Sequence, residues 1–208
     1  MQTKLLTFFC NDPLAHPDNI TPDDLVNHWT NTQLERSHNW VQWAFPLPDA
    51  SRYQPDSPTL GTRDMNQIRV SSVAQANLDA LMWRTIDFYD QWHGWLTPYD
   101  HNHLRITRII KSLALLAPPH KALTFYHFIM WKVTSFSKTC VVNPESVETW
   151  RRAADTVAYP GSRARTTIHI PEQDALATGS GARVVSDIMD RNAEDLRAAQ
   201  ARAQEGSL

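Results

Sequence analysis

His101-Asn102-His103-Leu104-Arg105-Ile106-Thr107-Arg108-Ile109-Ile110-Lys111-Ser112-Leu113 is the stretch that decides how this chain folds. Its apolar residues recur with the three- and four-residue spacing of one helix face. The first eight residues also contain three strongly polar residue types: two histidines, an asparagine and two arginines. An ordinary helix end does not need that much polar chemistry. The stretch therefore predicts a core helix that also carries a functional site.

Helical patterns surround this stretch on both sides. Capping residues, proline stops and a 3.6-residue apolar rhythm define the other helices. The segment Thr21-Pro22-Asp23-Asp24 predicts one helix start, and Thr32-Gln33-Leu34-Glu35 has the spacing of a capping box. The pattern predicts helices over residues 32–45, 62–93, 102–116, 119–136 and 143–157.

The chain divides by composition into a domain and a tail. Residues 1–158 predict a compact all-α domain of six to eight helices. Residues 159–208 begin as a loop of Gly, Ser and Pro, with one short alternating run at residues 166–170 that has the period of a strand. A polar helix is predicted from residue 182 to about residue 204. This C-terminal helical tail is the candidate docking element for a second chain, as in a homo-oligomer.

Composition excludes several classes of protein. The 208 residues carry a formal net charge of -2, so no basic excess indicates a nucleic-acid partner. No window approaches the roughly 20 apolar residues that a transmembrane helix needs. Only two cysteines occur, far apart, which is the usage of a reducing compartment. We therefore expect a soluble, cytoplasmic protein.

Two polar stripes lie on otherwise apolar helices. Spacings of three and four residues place each stripe on a single helix face. The first stripe comprises Glu35, His38 and Gln42, and the second comprises His101, Arg105 and Arg108. Polar side chains in apolar surroundings need partners. The spacing therefore predicts that the two stripes face one another across a polar pocket.

One hypothesis for this pocket is a binding module for a small anionic or peptide ligand. Arg105 and Arg108 would clamp a carboxylate, because a guanidinium recognises carboxylates with paired hydrogen bonds. Trp40 and Trp43 would form the wall. The predicted ligand-binding residues are Trp40, Gln42, Trp43, His101, Asn102, Arg105 and Arg108.

A second hypothesis is a small metal- or haem-dependent enzyme of specialised metabolism that uses the same pocket. The Glu35-x-x-His38 pair is half of the helical site that di-iron proteins use twice. His101 or His103 would complete the predicted metal ligands, and iron, another transition metal or haem would be the cofactor. Each polar residue also has a purely structural alternative. Glu35 can complete a helix cap, Asn102 can begin a helix, and the arginines can form salt bridges.

The quoted motifs resemble those of a known family. Leu34-Glu35-Arg36-Ser37-His38-Asn39-Trp40-Val41-Gln42-Trp43-Ala44-Phe45-Pro46-Leu47-Pro48, Pro58-Thr59-Leu60-Gly61-Thr62 and residues 101–113 resemble, in this order, the conserved domain of the opioid growth factor receptor. The resemblance spans about residues 20–135. It implies that the polar residues of both stripes, with Asn102 and His103, match the family's motif positions. Animal members are named for binding an enkephalin peptide, and this chain resembles a short microbial-type member.

Overall fold

The computed structural model describes residues 2–136 and 142–156, and within them the chain is helical, without a β-strand. Its eight α-helices are α1 (Lys4–Phe9), α2 (Asn31–Arg36), α3 (Trp40–Ala44), α4 (Thr62–Val70), α5 (Ser72–Gln91), α6 (Asn102–Leu116), α7 (Pro119–Ser135) and α8 (Pro144–Asp155). A 3-10 turn (Pro13–Ala15) and a π-helical segment (Asp24–His28) lie between α1 and α2. The predicted all-α architecture is confirmed for these residues. The predicted strand and tail helix beyond residue 158 lie outside the described residues.

Helix α6 lies at the centre of the core. It packs extensively against α7 and α8 and contacts α3 and α4 through fewer residues. Its inward face is completely buried and consists of Ile106, Ile109, Ile110 and Leu113. Burying one such side chain contributes roughly 1.5–3 kcal/mol. The bounds of α6 match the predicted 102–116, because the apolar rhythm and the proline stop at its end are both strong signals.

An aromatic cluster fixes the N-terminal end of α6. The Trp150 indole in α8 donates to the backbone oxygen of His103 at 3.1 Å, and its ring centre lies 6.2 Å from that of Trp95. Trp95 in turn packs edge-on against Tyr89 of α5 at 5.6 Å. All three aromatic side chains are at most 1% exposed. The loop between α5 and α6 is therefore held between three helices, which sets the direction in which the polar head of α6 points.

Two of the predicted helices are broken in the structure. The helix predicted over residues 62–93 splits at Ser71, which lies between the end of α4 and the start of α5. The Oγ of Ser71 accepts a hydrogen bond from the backbone N–H of Ala74 at 3.3 Å. A serine that caps the following helix competes with helix continuation, and periodicity does not register that competition. The helix predicted over residues 32–45 splits into α2 and α3 around residues 37–39.

The N-terminal helix α1 has no counterpart in the predicted helices. It is only six residues long, which is too short for an apolar rhythm to repeat. Thr3 begins it by accepting a hydrogen bond from the backbone N–H of Leu6 at 3.3 Å. Four of its residues are buried: Leu5, Leu6, Phe8 and Phe9. The apolar run at the N-terminus is therefore part of the core.

The capping box of α2 begins at Thr30, so the prediction of a box at Thr32 and Glu35 is wrong. Thr30 Oγ1 accepts from the backbone N–H of Gln33 at 3.3 Å, while Gln33 Oε1 accepts from the backbone N–H of Thr30 at 2.8 Å. Thr32 is an exposed residue within the first turn. Because Gln33 closes the box, the carboxylate of Glu35 is left for another partner.

The position of this cap can be tested with a matched pair of threonines. We expect Thr30→Ala to lower the free energy of unfolding by about 1 kcal/mol, because the helix loses its N-terminal cap. Thr32→Ala should change it by less than about 0.5 kcal/mol, since surface substitutions away from such features have small effects. Urea unfolding followed by circular dichroism measures both values. A larger loss for Thr32→Ala would contradict the assignment.

Candidate functional site

The C-terminal end of α2 meets the N-terminal half of α6 through one buried guanidinium. Arg105 is 5% exposed. Its Nη1 donates to the backbone oxygen of Leu34 at 3.1 Å, and its Nη2 donates to those of Glu35 at 3.1 Å and Ser37 at 2.7 Å. Carbonyl groups in the last turn of a helix lack partners within that helix. Arg105 supplies those partners and thereby joins α2 to α6.

A buried asparagine extends this network. Asn102 is completely buried, and its Nδ2 donates to Glu35 Oε2 at 3.1 Å and to Asp100 Oδ1 at 2.8 Å. Its Oδ1 accepts from Arg105 Nη1 at 3.2 Å and from the Tyr89 hydroxyl at 3.4 Å. Burial raises the pKa of Tyr89 well above its usual range, so the phenol stays protonated and can donate. Both ends of the Asn102 amide are therefore occupied by protein groups.

The two predicted polar stripes are in direct contact. The carboxylate of Glu35 lies 3.6 Å from Arg105 Nη1 and 3.5 Å from His101 Nε2. Arg105 Nη2 lies 3.2 Å from His38 Nδ1, and a guanidinium can only donate, so Nδ1 accepts and the proton of a neutral His38 is on Nε2. The rings of His38 and His101 meet edge to face at 5.6 Å. His38 is exposed and the His101 ring is 42% exposed, so both reach solvent.

A cleft of about 680 Å³ opens beside this contact. The loop after α3 and the exposed face of α6 line most of it. Five of the predicted site residues line it: His38, Gln42, His101, Arg105 and Arg108. Arg52, Tyr53 and Lys111 also line the cleft, and sequence reasoning missed all three. Lys111 follows Arg108 by three residues, so helix spacing was an available signal, whereas the loop that carries Arg52 and Tyr53 has no periodicity.

Arg108 differs from Arg105 in how it is paired. It is half-buried, and its Nη1 donates to the backbone oxygen of Phe45 at 3.3 Å. Within residues 2–136 and 142–156, no carboxylate lies within ion-pair distance of it. Burial alone lowers the pKa of this guanidinium. The cleft therefore contains a partly desolvated positive charge with capacity for further acceptors.

Gln42 supports the turn between α2 and α3. Its side chain is 6% exposed. With the amide oriented to satisfy its hydrogen bonds, the nitrogen donates to the backbone oxygens of His38 at 2.9 Å and Asn39 at 3.1 Å. Its side chain also lies 3.5 Å from the hydroxyl of Ser51 in the loop that follows α3. Gln42 thus lines the cleft while its nitrogen stabilises the turn.

The two tryptophans predicted as the pocket wall do not line the cleft. The Trp40 indole donates to the backbone oxygen of Leu34 at 2.9 Å, and its ring lies 5.9 Å from the Arg105 guanidinium. Trp43 packs between Phe8 at 5.6 Å and His16 at 4.7 Å. Because the chain breaks between α2 and α3, the residues of α3 do not continue the helix face that uninterrupted spacing from α2 predicts. Both indoles therefore belong to the core.

The predicted metal ligands are not brought together. His103 is 5% exposed, with Nε2 2.9 Å from the backbone oxygen of Trp95 and Nδ1 3.2 Å from the hydroxyl of Ser146 in α8. Both of its ring nitrogens are thus engaged on the α8 side of α6. Glu35 and His38 lie on the opposite side, with Arg105. In the part of the chain that the structure describes, no group of three His, Cys, Asp or Glu residues is arranged to hold a metal ion.

The family model for the opioid growth factor receptor (OGFr) conserved region matches residues 1–91. Residues 1–91 are therefore similar to this conserved region. Similar proteins include the mouse opioid growth factor receptor, which is 25% identical over 60% of this chain and 23% of the receptor. The human receptor is 29% identical over 57% of this chain and 20% of the receptor. The opioid growth factor receptor-like protein 1 of Xenopus tropicalis is 25% identical over 53% of this chain and 25% of that protein.

These comparisons confirm the resemblance and set its limits. The chain spans about a quarter, or less, of the length of the curated relatives it matches. The match to the family model covers α1 to α5 and stops before α6. The alignment with the mouse receptor covers 60% of the chain, which is more than 91 residues, so it extends beyond the family-model match. No solved structure matches this chain. Among the described residues, no helix is long and apolar enough to cross a membrane.

The structural role of Arg105 in this domain can be separated from its charge. We expect Arg105→Lys to lower the free energy of unfolding by about 2–4 kcal/mol, because an ammonium cannot replace a planar fork that serves three carbonyl groups. Arg108→Lys is the matched control and should cost less than about 1 kcal/mol, since it gives up one hydrogen bond. Urea unfolding of both variants measures the difference. Equal stabilities of the two variants would contradict the role of Arg105 in joining α2 to α6.

The buried histidine His16, which packs against Trp43, predicts a pH dependence of stability. Burial lowers the pKa of His16 below 6.5, and neighbouring Asp18 opposes this shift only in part. The unfolded chain therefore binds a proton that the folded chain excludes, so stability falls as the pH drops below about 6.5. We expect His16→Asn to lose less stability between pH 7 and pH 5 than the unsubstituted protein. The difference is bounded by about 1.4 kcal/mol per pH unit.

His28→Asn serves as the control for this pH experiment. The side chain of His28 is 67% exposed, so this variant controls for the loss of an imidazole at the surface. Urea unfolding at several pH values gives the slope for each variant. An unchanged slope in His16→Asn would show that other groups govern the pH dependence.

Proposed function

We propose that this domain is a binding module whose cleft holds a small anionic ligand or the anionic group of a peptide. The observation that carries the proposal is Arg108, a half-buried guanidinium that lines the cleft and has no carboxylate partner among the described residues. A partly desolvated cation that keeps free donors gains from an anionic ligand more than an exposed cation does. Arg108 is therefore the proposed anchor.

The two arginines divide the work in this proposal. Arg105 has its guanidinium occupied by backbone carbonyls and by Glu35, so it shapes the wall of the cleft. Among the described residues, Arg108 is held by one hydrogen bond, to the backbone oxygen of Phe45, and keeps its remaining donors. A fixed wall beside an available cation reduces the entropy lost on binding. The volume of about 680 Å³ lies in the range of small-molecule sites.

The histidines belong to the rim of the proposed site. His38 and His101 line the cleft and reach solvent, so either can meet a ligand. Asn102 and Trp43 are left out of the proposed site because their contacts are with the protein. No observation among the described residues favours the metal- or haem-dependent enzyme. The widely separated cysteines support placing this activity in the cytoplasm.

The proposal is tested with Arg108→Gln and simple anions. Acetate, inorganic phosphate and a short peptide with a free carboxyl terminus are titrated into ¹⁵N-labelled protein at low salt. We expect at least one of them to shift amide signals around the cleft. We expect Arg108→Gln to weaken that binding about tenfold or more, because a hydrogen bond to a charged group contributes roughly 1.5–3 kcal/mol.

Arg36→Gln provides the matched control. Arg36 is an exposed arginine in α2 that does not line the cleft. Its substitution should leave the affinity unchanged. No shift with any of the three probes, or equal affinity of Arg108→Gln and the unsubstituted protein, would refute the proposal.

A further inference from the structure

We infer that the cleft selects a dianion of the phosphate monoester class over a singly charged anion such as a carboxylate. This inference rests on the proposed function, since it names the charge and chemical class of the ligand at the same site.

The charge of the lining matches a dianion. Arg105 is neutralised by Glu35, at 3.6 Å, so it adds little to the field in the cleft. Arg52, Arg108 and Lys111 contribute three further positive charges. Asp49 is the acidic residue among the described residues of the lining, so two positive charges remain there when the histidines are neutral. A carboxylate would neutralise one of these charges, and a phosphate monoester would neutralise both.

The cations come from two different elements. Arg108 and Lys111 are three residues apart in α6, and that spacing places them on the same helix face. Arg52 comes from the loop after α3, so the positive charges reach the cleft from helix and loop. A phosphate group has three terminal oxygens and can accept from several donors at once. Guanidinium groups match that geometry with paired hydrogen bonds.

The border of the cleft argues against an extended polyanion. A neighbouring groove of about 530 Å³ lies on the other side of a wall formed by His101, Leu104 and Thr107. Asp100 and Glu145 line that groove, and none of its described lining residues is a lysine or arginine. A chain with many phosphates would meet these carboxylates when it left the cleft. The positive region therefore suits one compact dianion on a small molecule.

An exposed aromatic ring supplies a contact for the rest of the ligand. Tyr53 lines the cleft and is 75% exposed, so its ring is accessible to a ligand. A ligand whose phosphate is carried on a ring can pack against it. Phenyl phosphate is therefore a suitable probe, and phenyl sulfate is its nearly isosteric counterpart with a single negative charge.

Calorimetric titration of both compounds at pH 7.5 and low salt tests the inference. The second pKa of a phosphate monoester is about 6, so phenyl phosphate is mainly a dianion at this pH. We expect phenyl phosphate to bind about tenfold tighter than phenyl sulfate, because the additional charge meets unpaired cations at close range. We also expect Lys111→Gln and Arg52→Gln each to reduce this preference severalfold. Arg36→Gln should leave it unchanged.

The possible results separate this inference from the proposed function. Equal affinity for phosphate and sulfate, lost in Arg108→Gln, would overturn the dianion inference and leave the anion site intact. A phosphate preference that survives in both Lys111→Gln and Arg52→Gln would also overturn it, because the excess charge would not be its source. If neither compound bound, while acetate or a free carboxyl terminus did, the site would be a carboxylate site. Absence of binding by every anion would remove both proposals.

Discussion

The buried guanidinium of Arg105 is the interaction on which the rest of the structure depends. It satisfies the carbonyl groups at the end of α2, pairs with Glu35 and contacts Asn102, all from one turn of α6. A buried charge is costly unless its hydrogen bonds are nearly complete. Because both terminal nitrogens of Arg105 have acceptors here, the short helix α2 can end beside the core, and the chain can turn into α3. The same turn borders the cleft, which His38 and Gln42 line.

The sequence predicted the central helices well because their signals are local and repeated. The bounds of α6 and α7 follow from apolar rhythm and proline stops, and α8 begins at its Asn-Pro pair as predicted. The breaks at Ser71 and at residues 37–39 were not predictable in this way. They depend on a hydroxyl group that caps the next helix and on an arginine 68 residues away that caps the previous one. Periodicity carries no information about either contact.

The contact between the two polar stripes was predicted, and the different roles of their residues were not. Spacing placed the two polar stripes opposite each other, and their side chains are in contact. Residue spacing could not predict that the hydrogen-bond donors of Arg105 would be occupied by backbone oxygens while Arg108 would keep donors available in the cleft. It also assigned His103 to the pocket, although a one-residue step around the helix from Asn102 turns it toward α8. Burial and partner geometry decide such roles, and both arise only in the folded chain.

The segment that matches the family model is shorter than the set of helices that pack together. Similarity to the conserved-region model ends at residue 91, at the last residue of α5. The apolar face of α5 packs against α7, and the end of α2 is closed by a side chain from α6. A fragment cut at residue 91 would expose that face and remove the donors that Arg105 supplies to the carbonyls at the end of α2. The segment that resembles the family model is therefore shorter than the packed helical unit, and domain boundaries for expression should follow the packing.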